Sequence, residues 1–296
     1  SIKKRKSKVA VGDFARVPKR GGSFKDFIAS LPDILAARDF DSVVKAVVEA
    51  KRKNKTVALG IGAHVIKAGL SPLIIDLMEK AVISAVAMNG ACIVHDFEVA
   101  YAGMTSEDVD VSLASGSFGM GEETGRLLNM AIKKGRKKGI GLAVGETIER
   151  SGFQHRDKSI LAAGARLGIP VTVHVAVGTD IIHIHPDMDG SATGEATQRD
   201  FMLFASVVGS LEGGVYLNIG SAVVLPEVFL KALTLVRNLG HKVKNFTTVN
   251  MDFIKHYRPS TNVVKRPAGS GGGYTLIGHH EIMLPLLYTA IIEGLG

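Results

Sequence analysis

The chain has 296 residues, of which 46% are hydrophobic, and a formal net charge of +8 at pH 7. This length is sufficient for one large α/β domain with a sizeable core. No apolar run reaches the ~18 residues that a bilayer-crossing helix needs, and the basic N-terminus lacks the apolar segment of a secretory signal. Cys92 is the sole cysteine, which excludes an intramolecular disulfide framework and leads us to expect a cytoplasmic protein.

The positive charge is concentrated at the N-terminal end. Residues 1–55 contain 15 Lys and Arg against 6 Asp and Glu, whereas the rest of the chain is nearly neutral. Proteins that bind nucleic acid usually carry their basic residues on the folded surface. Nucleic acid is therefore not the expected partner, and neither is a membrane.

Composition and charge divide the chain into two parts. Residues 1–23 are interpreted as a basic N-terminal arm, and residues 24–296 as a single α/β nucleotide-binding domain. A purely solvated tail would be poorer in apolar residues than this arm is. We therefore expect part of the arm to pack against a neighbouring subunit. The apolar residues concerned are Val9, Val11, Phe14 and Val17.

Strand and helix patterns then alternate along the chain, which predicts a single Rossmann-like parallel sheet of about six strands with helices on both faces. Strands are predicted at 56–61, 82–88, 139–144 (short), 169–177, 214–219 and 245–250. Helices are predicted from Ser23 to Leu31, from Asp39 or Asp41 to the run at 51–55, at 70–80, from Ser106, and at 122–134, 158–167, 194–210, 226–239 and 281–295. Residues 251–278 are predicted to be irregular.

Small and polar residues follow five of the predicted strands. Ligands of open α/β sheets bind beyond the carboxyl ends of the strands, so this pattern favours a nucleotide-like ligand at that edge. Neither the GxGxxG dinucleotide motif nor a P-loop is present. The residues concerned include Gly62 to Gly69, Asn89, Gly90, Ala91, His95, Asp96, Asp180, His183, His185, Gly220, Ser221 and Asp252.

Two interpretations of the histidines remain open at this point. If their segment is extended, His183 and His185 lie on the same face, a spacing that suits zinc or another divalent metal. His95, Asp96 or the pair His279–His280 would then supply further ligands. Alternatively, these histidines line a polar pocket without a metal.

The order of the motifs resembles that of the deoxyhypusine synthase family. The resemblance runs from about residue 56 to the end of the chain. It rests on the segments AHVIKAG, LSPLIIDLMEK, VISAVAM, NGACIVHDFE, SILAAGARLGIPV, GTDIIHIHP, NIGSAVVLPEVFLKALTLVRNLG and GHHEIMLPLL.

The resemblance implies a homotetramer that binds NAD on a Rossmann-like sheet and transfers the butylamine group of spermidine to a lysine. The NAD-contacting residues that it implies are Ala63, His64, Val65, Ile66, Lys67, Asn89, Gly90, Ala91, His95, Asp180, Thr248, Val249, His279 and His280. The family's catalytic lysine follows an Arg-Pro pair. Here Arg258 and Pro259 match that pair, and Lys265 is the nearest lysine.

The sequence departs from the family where the polyamine pocket needs carboxylates. Histidines such as His95, His183 and His185 stand there, and they supply no fixed negative charge for a polycation. We therefore expect NAD-dependent dehydrogenation or transfer on an amine or other small polar substrate, rather than authentic deoxyhypusine synthesis.

In this interpretation Lys265 traps an imine as a Schiff base. His183, His185 or His95 handles protons, and Asp96 joins the catalytic set. A metal-dependent hydrolase and a non-catalytic nucleotide-binding protein are the alternatives.

Overall fold

The central element of the computed structural model, which describes residues 2–267 and 272–296, is a parallel sheet of six strands. The strand order is β3-β2-β1-β4-β5-β6, the order of a doubly wound dinucleotide-binding fold. The predicted Rossmann-like sheet is thus confirmed. The strands are β1 (Val57–Ile61), β2 (Ala85–Asn89), β3 (Val171–His174), β4 (Val215–Ile219), β5 (Thr247–Asp252) and β6 (Gly273–Ile277).

Helices connect the strands because parallel neighbours need a crossover. They are α1 (Phe24–Ser30), α2 (Leu35–Arg52), α3 (Ala63–Lys67), α4 (Ser71–Glu79), α5 (Gly90–Ala102), α6 (Val109–Ser115), α7 (Glu122–Gly135), α8 (Ile140–Glu149), α9 (Ile160–Leu167), α10 (Gly190–Gly209), α11 (Val224–Asn238), α12 (Tyr257–Pro259) and α13 (His280–Leu295). A π-helical segment, Ser260–Lys265, continues α12.

The two faces of the sheet are covered by different helices. Side chains of α10 and α11, such as Phe204 and Phe229, pack on one face against alanines of β1 and β2 and against Tyr216 of β4. The other face carries the larger cluster, to which α2, α4, α5, α8, α9 and α13 contribute. Burial on both faces explains the continuous apolar runs of the strands. Among the described residues, no helix is both long and apolar enough to cross a bilayer.

Several predicted elements differ from the structure. Residues 139–144 were expected as a strand, which is wrong, because α8 occupies them. Gly141 lets α8 approach β3, since a Cβ there would lie 2.7 Å from the Val171 carbonyl carbon. The buried carboxylate of Asp200 accepts hydrogen bonds from the Gly141 N–H (3.0 Å) and the Val173 N–H (2.8 Å), which ties α8 to β3.

Two further boundaries are also wrong. Helix α2 begins at Leu35, before the acidic residues predicted to cap it, because the intervening Ala and Arg residues favour helix. Residues 251–278 are not wholly irregular, since they contain the end of β5, the α12 segment and β6. The predicted α1, α7 and α13 are confirmed, and Ser23 caps α1 as expected.

The N-terminal arm lies along α1 and the segment between α1 and α2. The Arg16 N–H donates to the Ser30 carbonyl (2.8 Å), and the Asp33 N–H donates to the Asp13 carbonyl (3.0 Å). The apolar side chains of the arm nevertheless stay exposed, with Val17 94% accessible. Packing of these side chains against another subunit stays a prediction.

Candidate functional site

The sheet reverses its order between β1 and β4, and the turns that follow these two strands meet there. Such a reversal opens a crevice in which ligands bind. A Cβ on Gly62 would lie 2.7 Å from the carbonyl carbon of Gly220 and nearer still to its oxygen. The turns can approach this closely only because Gly62 has no side chain. We call this place the switch-point crevice.

His280, the first residue of α13, forms one side of the switch-point crevice. The residue is fully buried, and neither ring nitrogen has a partner in good hydrogen-bond geometry among the described residues, although the backbone of Met251 lies near enough to raise the pKa of the ring. A Cβ on Gly220 would lie 3.0 Å from its Nε2, so the ring stands against the β4 turn. Burial lowers the pKa of His280, against the opposing effect of Asp252, which keeps the ring neutral at pH 7.

The start of α13 adds a second feature to this side of the crevice. His279 precedes the helix, and its side chain makes no capping hydrogen bond. No side-chain cap therefore offsets the positive end of the helix dipole, although the carboxylate of Glu281 lies in the first turn of the helix. Buried imidazole nitrogens without partners are rare in folded proteins. The His280 ring and the start of α13 together indicate a binding place for a polar ligand.

Three rings stand together at the mouth of the crevice. The ring centroids of His64 and His280 are 5.5 Å apart, and that of Phe253 is 6.0 Å from His64 and 6.1 Å from His280. Such spacing is typical of aromatic packing. The ends of β4, β5 and β6 and the segments that follow them also carry exposed apolar side chains; these are Val223, Ile254, Tyr257, Ile277 and Ile282.

The family resemblance implied that all five residues of α3 contact NAD. In the structure, some of these residues face the crevice and others face the core. Val65 and Ile66 are buried, and Val65 reaches the β4 turn, since a Cβ on Gly220 would lie 3.5 Å from its Cγ2. His64 and Lys67 are exposed one helical turn apart, and Ala63 is half-buried. His64 and Lys67 therefore share one face of α3.

A second group of polar residues lies where β2 and β3 end. Asn89 Oδ1 caps α5 by accepting from the Cys92 N–H at 3.2 Å, and the Cys92 thiol donates to the same oxygen at 3.0 Å. Asp180 approaches the start of this helix, since a Cβ on Gly90 would lie 2.8 Å from its Cγ. Burial raises the pKa of Asp180. Ala91 is half-buried beside them.

His183 belongs to this second group, in a conformation that the sequence did not indicate. Ile181–Ile184 forms a 3-10 turn rather than an extended segment. His183 Nδ1 accepts hydrogen bonds from the N–H groups of Gly178 (3.2 Å) and Asp180 (3.1 Å), so the proton of the neutral ring is on Nε2. That Nε2 is buried and has no partner among the described residues.

The 3-10 turn directs His185 away from His183. His185 Nδ1 accepts from the Asp187 N–H at 3.1 Å, and its ring packs on α7, where a Cβ on Gly125 would lie 3.0 Å from its Cβ. The shared face expected for His183 and His185 is therefore wrong. No three His, Cys, Asp or Glu side chains within residues 2–267 and 272–296 are placed to hold a metal ion.

His95 and Asp96 lie within α5, because the residues after β2 form a helix rather than a loop. Asp96 points into the core and accepts hydrogen bonds from the Ser159 hydroxyl and the N–H groups of Ile160 and Leu161. It thus caps α9, and burial raises its pKa to about 6. His95 is half-buried on another face of α5, and its Nδ1 lies 2.7 Å from the Thr105 hydroxyl.

The structure separates Lys265 from the other predicted residues. Its neighbour Val264 packs against the first residue of β6, since a Cβ on Gly273 would lie 2.9 Å from the Val264 carbonyl carbon. Lys265 is exposed at the amino edge of the sheet, opposite the switch-point crevice. Thr248 and Val249 are buried within β5.

A separate groove of about 940 Å³ is lined by α1, α2 and the end of α13, apart from the strand ends. Gly62 and Gly220 were among the residues that the strand-end pattern singled out, although the family resemblance did not include them among the NAD contacts. Phe253 was missed, because an aromatic residue after a strand is common in cores and gives no signal of a site.

No protein-family model matches the sequence, and no curated protein is detectably similar to it. Solved structures do match. A protein assigned as a deoxyhypusine synthase from Entamoeba histolytica is similar over 92% of this chain and 94% of its own, at 12% identity and a TM-score of 0.55. The fold is deoxyhypusine synthase-like.

Two other structures share this fold. A conserved protein assigned to the LOR/SDH group of Methanococcus maripaludis S2 matches 88% of this chain and 71% of its own, with 16% identity and a TM-score of 0.55. AgrE, solved in a ternary complex with ornithine and NAD+, matches 88% of this chain with 18% identity and a TM-score of 0.54. This chain spans only 34% of the length of that AgrE chain.

The comparisons therefore confirm the fold that the motif order predicted. At these identities the likeness concerns the fold alone.

Proposed function

We propose that the chain binds a nicotinamide dinucleotide in the switch-point crevice and uses it to oxidise a small polar amine. The observation that carries this proposal is His280, whose two buried ring nitrogens lack partners at the point where the sheet reverses. The AgrE structure with NAD+ and ornithine supports the ligand class by analogy of fold.

The residues present fit such a ligand. The start of α13 would face a phosphate, and His280 would donate or accept one hydrogen bond at each ring nitrogen. Gly62 and Gly220 leave the backbone of both turns open to close approach. His64 and Phe253 would offer ring faces to a planar base. When bound, the nicotinamide ring supplies a hydride acceptor.

The carboxylates at this edge argue against a polyamine substrate. Burial raises the pKa of Asp180, which weakens it as a fixed negative charge. Asp252 accepts from the Phe253 N–H at 2.9 Å and lies 3.9 Å from His256 Nε2. We therefore expect a substrate with one amine rather than spermidine, and labelling of a protein lysine from spermidine should be absent.

The test is a calorimetric titration of the purified chain with NAD+ and NADH. The change of His280 to Phe keeps a ring of similar shape and removes both nitrogens. It should weaken binding at least tenfold, equivalent to about 1.4 kcal/mol. The matched control is His241→Phe, because His241 is exposed and follows α11 at the other edge of the sheet.

Two results would count against the proposal. Absence of dinucleotide binding to the unaltered chain would refute it outright, and unchanged binding by His280→Phe would refute the crevice as its place. Binding without reduction of the dinucleotide in the presence of a panel of small monoamines would favour the second candidate, a non-catalytic nucleotide-binding protein. No observation favours the metal-dependent hydrolase, since no three potential metal ligands come together among the described residues.

A further inference from the structure

Two asparagines lie side by side in the sheet, directly beneath the β4 turn of the switch-point crevice. Asn218 and Asn250 are register partners on β4 and β5, and both are fully buried. The Asn218 Nδ2 donates to Asn250 Oδ1 at 2.7 Å and to the Ser221 carbonyl at 2.8 Å. Asn is depleted in strands, so a pair of them at the centre of a buried parallel sheet needs an explanation.

The hydrogen bonds fix the orientation of both amides. A carbonyl oxygen only accepts hydrogen bonds, so the atom of Asn218 that faces Ser221 is the nitrogen. That nitrogen also faces Asn250, which must then present its oxygen. The opposite atoms, Asn218 Oδ1 and Asn250 Nδ2, are buried and have no partner among the described residues. The pair is therefore satisfied only on the side that leads to the turn.

The unpartnered atoms make the pair a poor choice for stability alone. A buried polar group without a partner loses its hydrogen bonds with water and gains none in return. Two apolar side chains of the same shape would avoid that loss. Proteins break such local rules mainly at functional sites.

The turn that the pair supports is part of the crevice. Gly220 is in the left-handed conformation, with φ +68°, and its N–H donates to the Met251 carbonyl at 3.0 Å. The Ser221 hydroxyl accepts from the Leu225 N–H at 3.3 Å, which ties the turn to α11. The Ser221 nitrogen lies 3.3 Å from where a Cβ on Gly62 would be, and its N–H donates to no described residue. This N–H is thus a backbone donor at the crevice without an acceptor in the described part of the chain.

We infer that Asn218 and Asn250 are positioning residues, which hold the Gly220–Ser221 turn in the shape that binds the nicotinamide dinucleotide. Asn218 acts directly, through the Ser221 carbonyl. Asn250 acts through Asn218, because it fixes the amide from the neighbouring strand. The inference rests on the proposed function.

The first experiment compares stability with affinity in a double-mutant cycle. Asn218→Leu and Asn250→Leu each leave the other amide without its partner, so the urea midpoint of each variant should fall. The double variant leaves no amide unpaired and should recover most of that loss. It should nevertheless bind NAD+ about tenfold more weakly than the unaltered chain, as measured by calorimetry. Affinity that recovers together with stability would overturn the inference.

Tyr216→Phe is the matched control. Tyr216 lies two residues before Asn218 on the same face of β4, is fully buried, and has a hydroxyl without a partner among the described residues. Loss of this hydroxyl should leave NAD+ affinity unchanged. An equal loss of affinity in Tyr216→Phe would show that the Asn pair has no particular role.

The second experiment measures amide hydrogen exchange by NMR in the milder variant Asn250→Ala, without ligand. The Gly220 N–H should exchange about tenfold faster than in the unaltered chain, while amides in the middle of β4 keep their rates. Equal acceleration along the whole of β4 would indicate a purely structural role and would overturn the inference. Failure of NAD+ to bind the unaltered chain would refute the proposed function instead, and the exchange at Gly220 would still decide whether the pair holds the turn.

Discussion

The change of Gly62 to Ala tests the switch-point crevice by shape alone. The backbone of Gly62 is extended, with φ −93° and ψ 162°, a conformation that Ala adopts freely. The added Cβ would lie 2.7 Å from the Gly220 carbonyl carbon and 3.3 Å from the Ser221 nitrogen. Carbon atoms pack best at about 3.5–4.0 Å, and the Gly220 oxygen would lie nearer still to the added Cβ, so the two turns must separate by more than about 1 Å. Overpacking of this kind costs about 1–3 kcal/mol.

Urea unfolding and calorimetric titration with NAD+ measure the two consequences separately. We expect Gly62→Ala to lose about 1–3 kcal/mol of unfolding free energy and to bind NAD+ at least tenfold more weakly. Gly152→Ala is the control, because its new Cβ would meet no atom within 4 Å and its φ is not positive. Wild-type stability in Gly62→Ala would refute the contact between the turns. Reduced stability with wild-type affinity would refute the crevice as the binding place.

Three further predictions address other parts of the chain. Asp96→Asn should lower the unfolding free energy by about 1–3 kcal/mol without changing NAD+ affinity, since Asp96 caps α9; a change in affinity would contradict this. Burial raises the pKa of Asp200 to about 7, so the folded state holds its proton more tightly and stability should fall from about pH 4 to about pH 7. Urea titrations of Asp200→Asn should show a shallower fall, and an equal slope would argue against it. Deletion of residues 1–22 should reduce the number of subunits in the assembly, as measured by the molar mass from light scattering. An unchanged number of subunits would leave the arm as a solvated tail.

The sequence was sufficient to predict the sheet because its strands are short β-branched runs separated by helices of ordinary length. The strands β1 to β5 are almost wholly buried, so alternating patterns are absent and the apolar runs are easily recognised, whereas β6 is only partly buried and was missed. Residues 139–144 were misassigned for the same reason. A short apolar run reads equally as strand or buried helix, and only the packing of Gly141 on β3 decides between them.

The candidate site was predictable only in part. The glycines after β1 and β4 are visible in the sequence, but their contact depends on strand order, which local patterns do not determine. His95 was placed after a strand because Asn89 and Gly90 resemble a turn. Asn89 in fact caps a helix that ends at Gly103, in the left-handed conformation. Distant pairings such as His95 with Thr105 follow from that helix and could not be inferred before it was known.

The single thiol gives the chain an internal reporter of motion. Cys92 is fully buried, and its Sγ donates to Asn89 Oδ1 and to the Ile61 carbonyl at 3.5 Å, between the ends of β1 and β2. A thiol reagent can therefore reach it only when these strand ends open transiently. The rate at which the reagent labels Cys92 therefore measures how often the strand ends open, and no engineered label is required. A ligand that holds the strand ends together would lower this labelling rate.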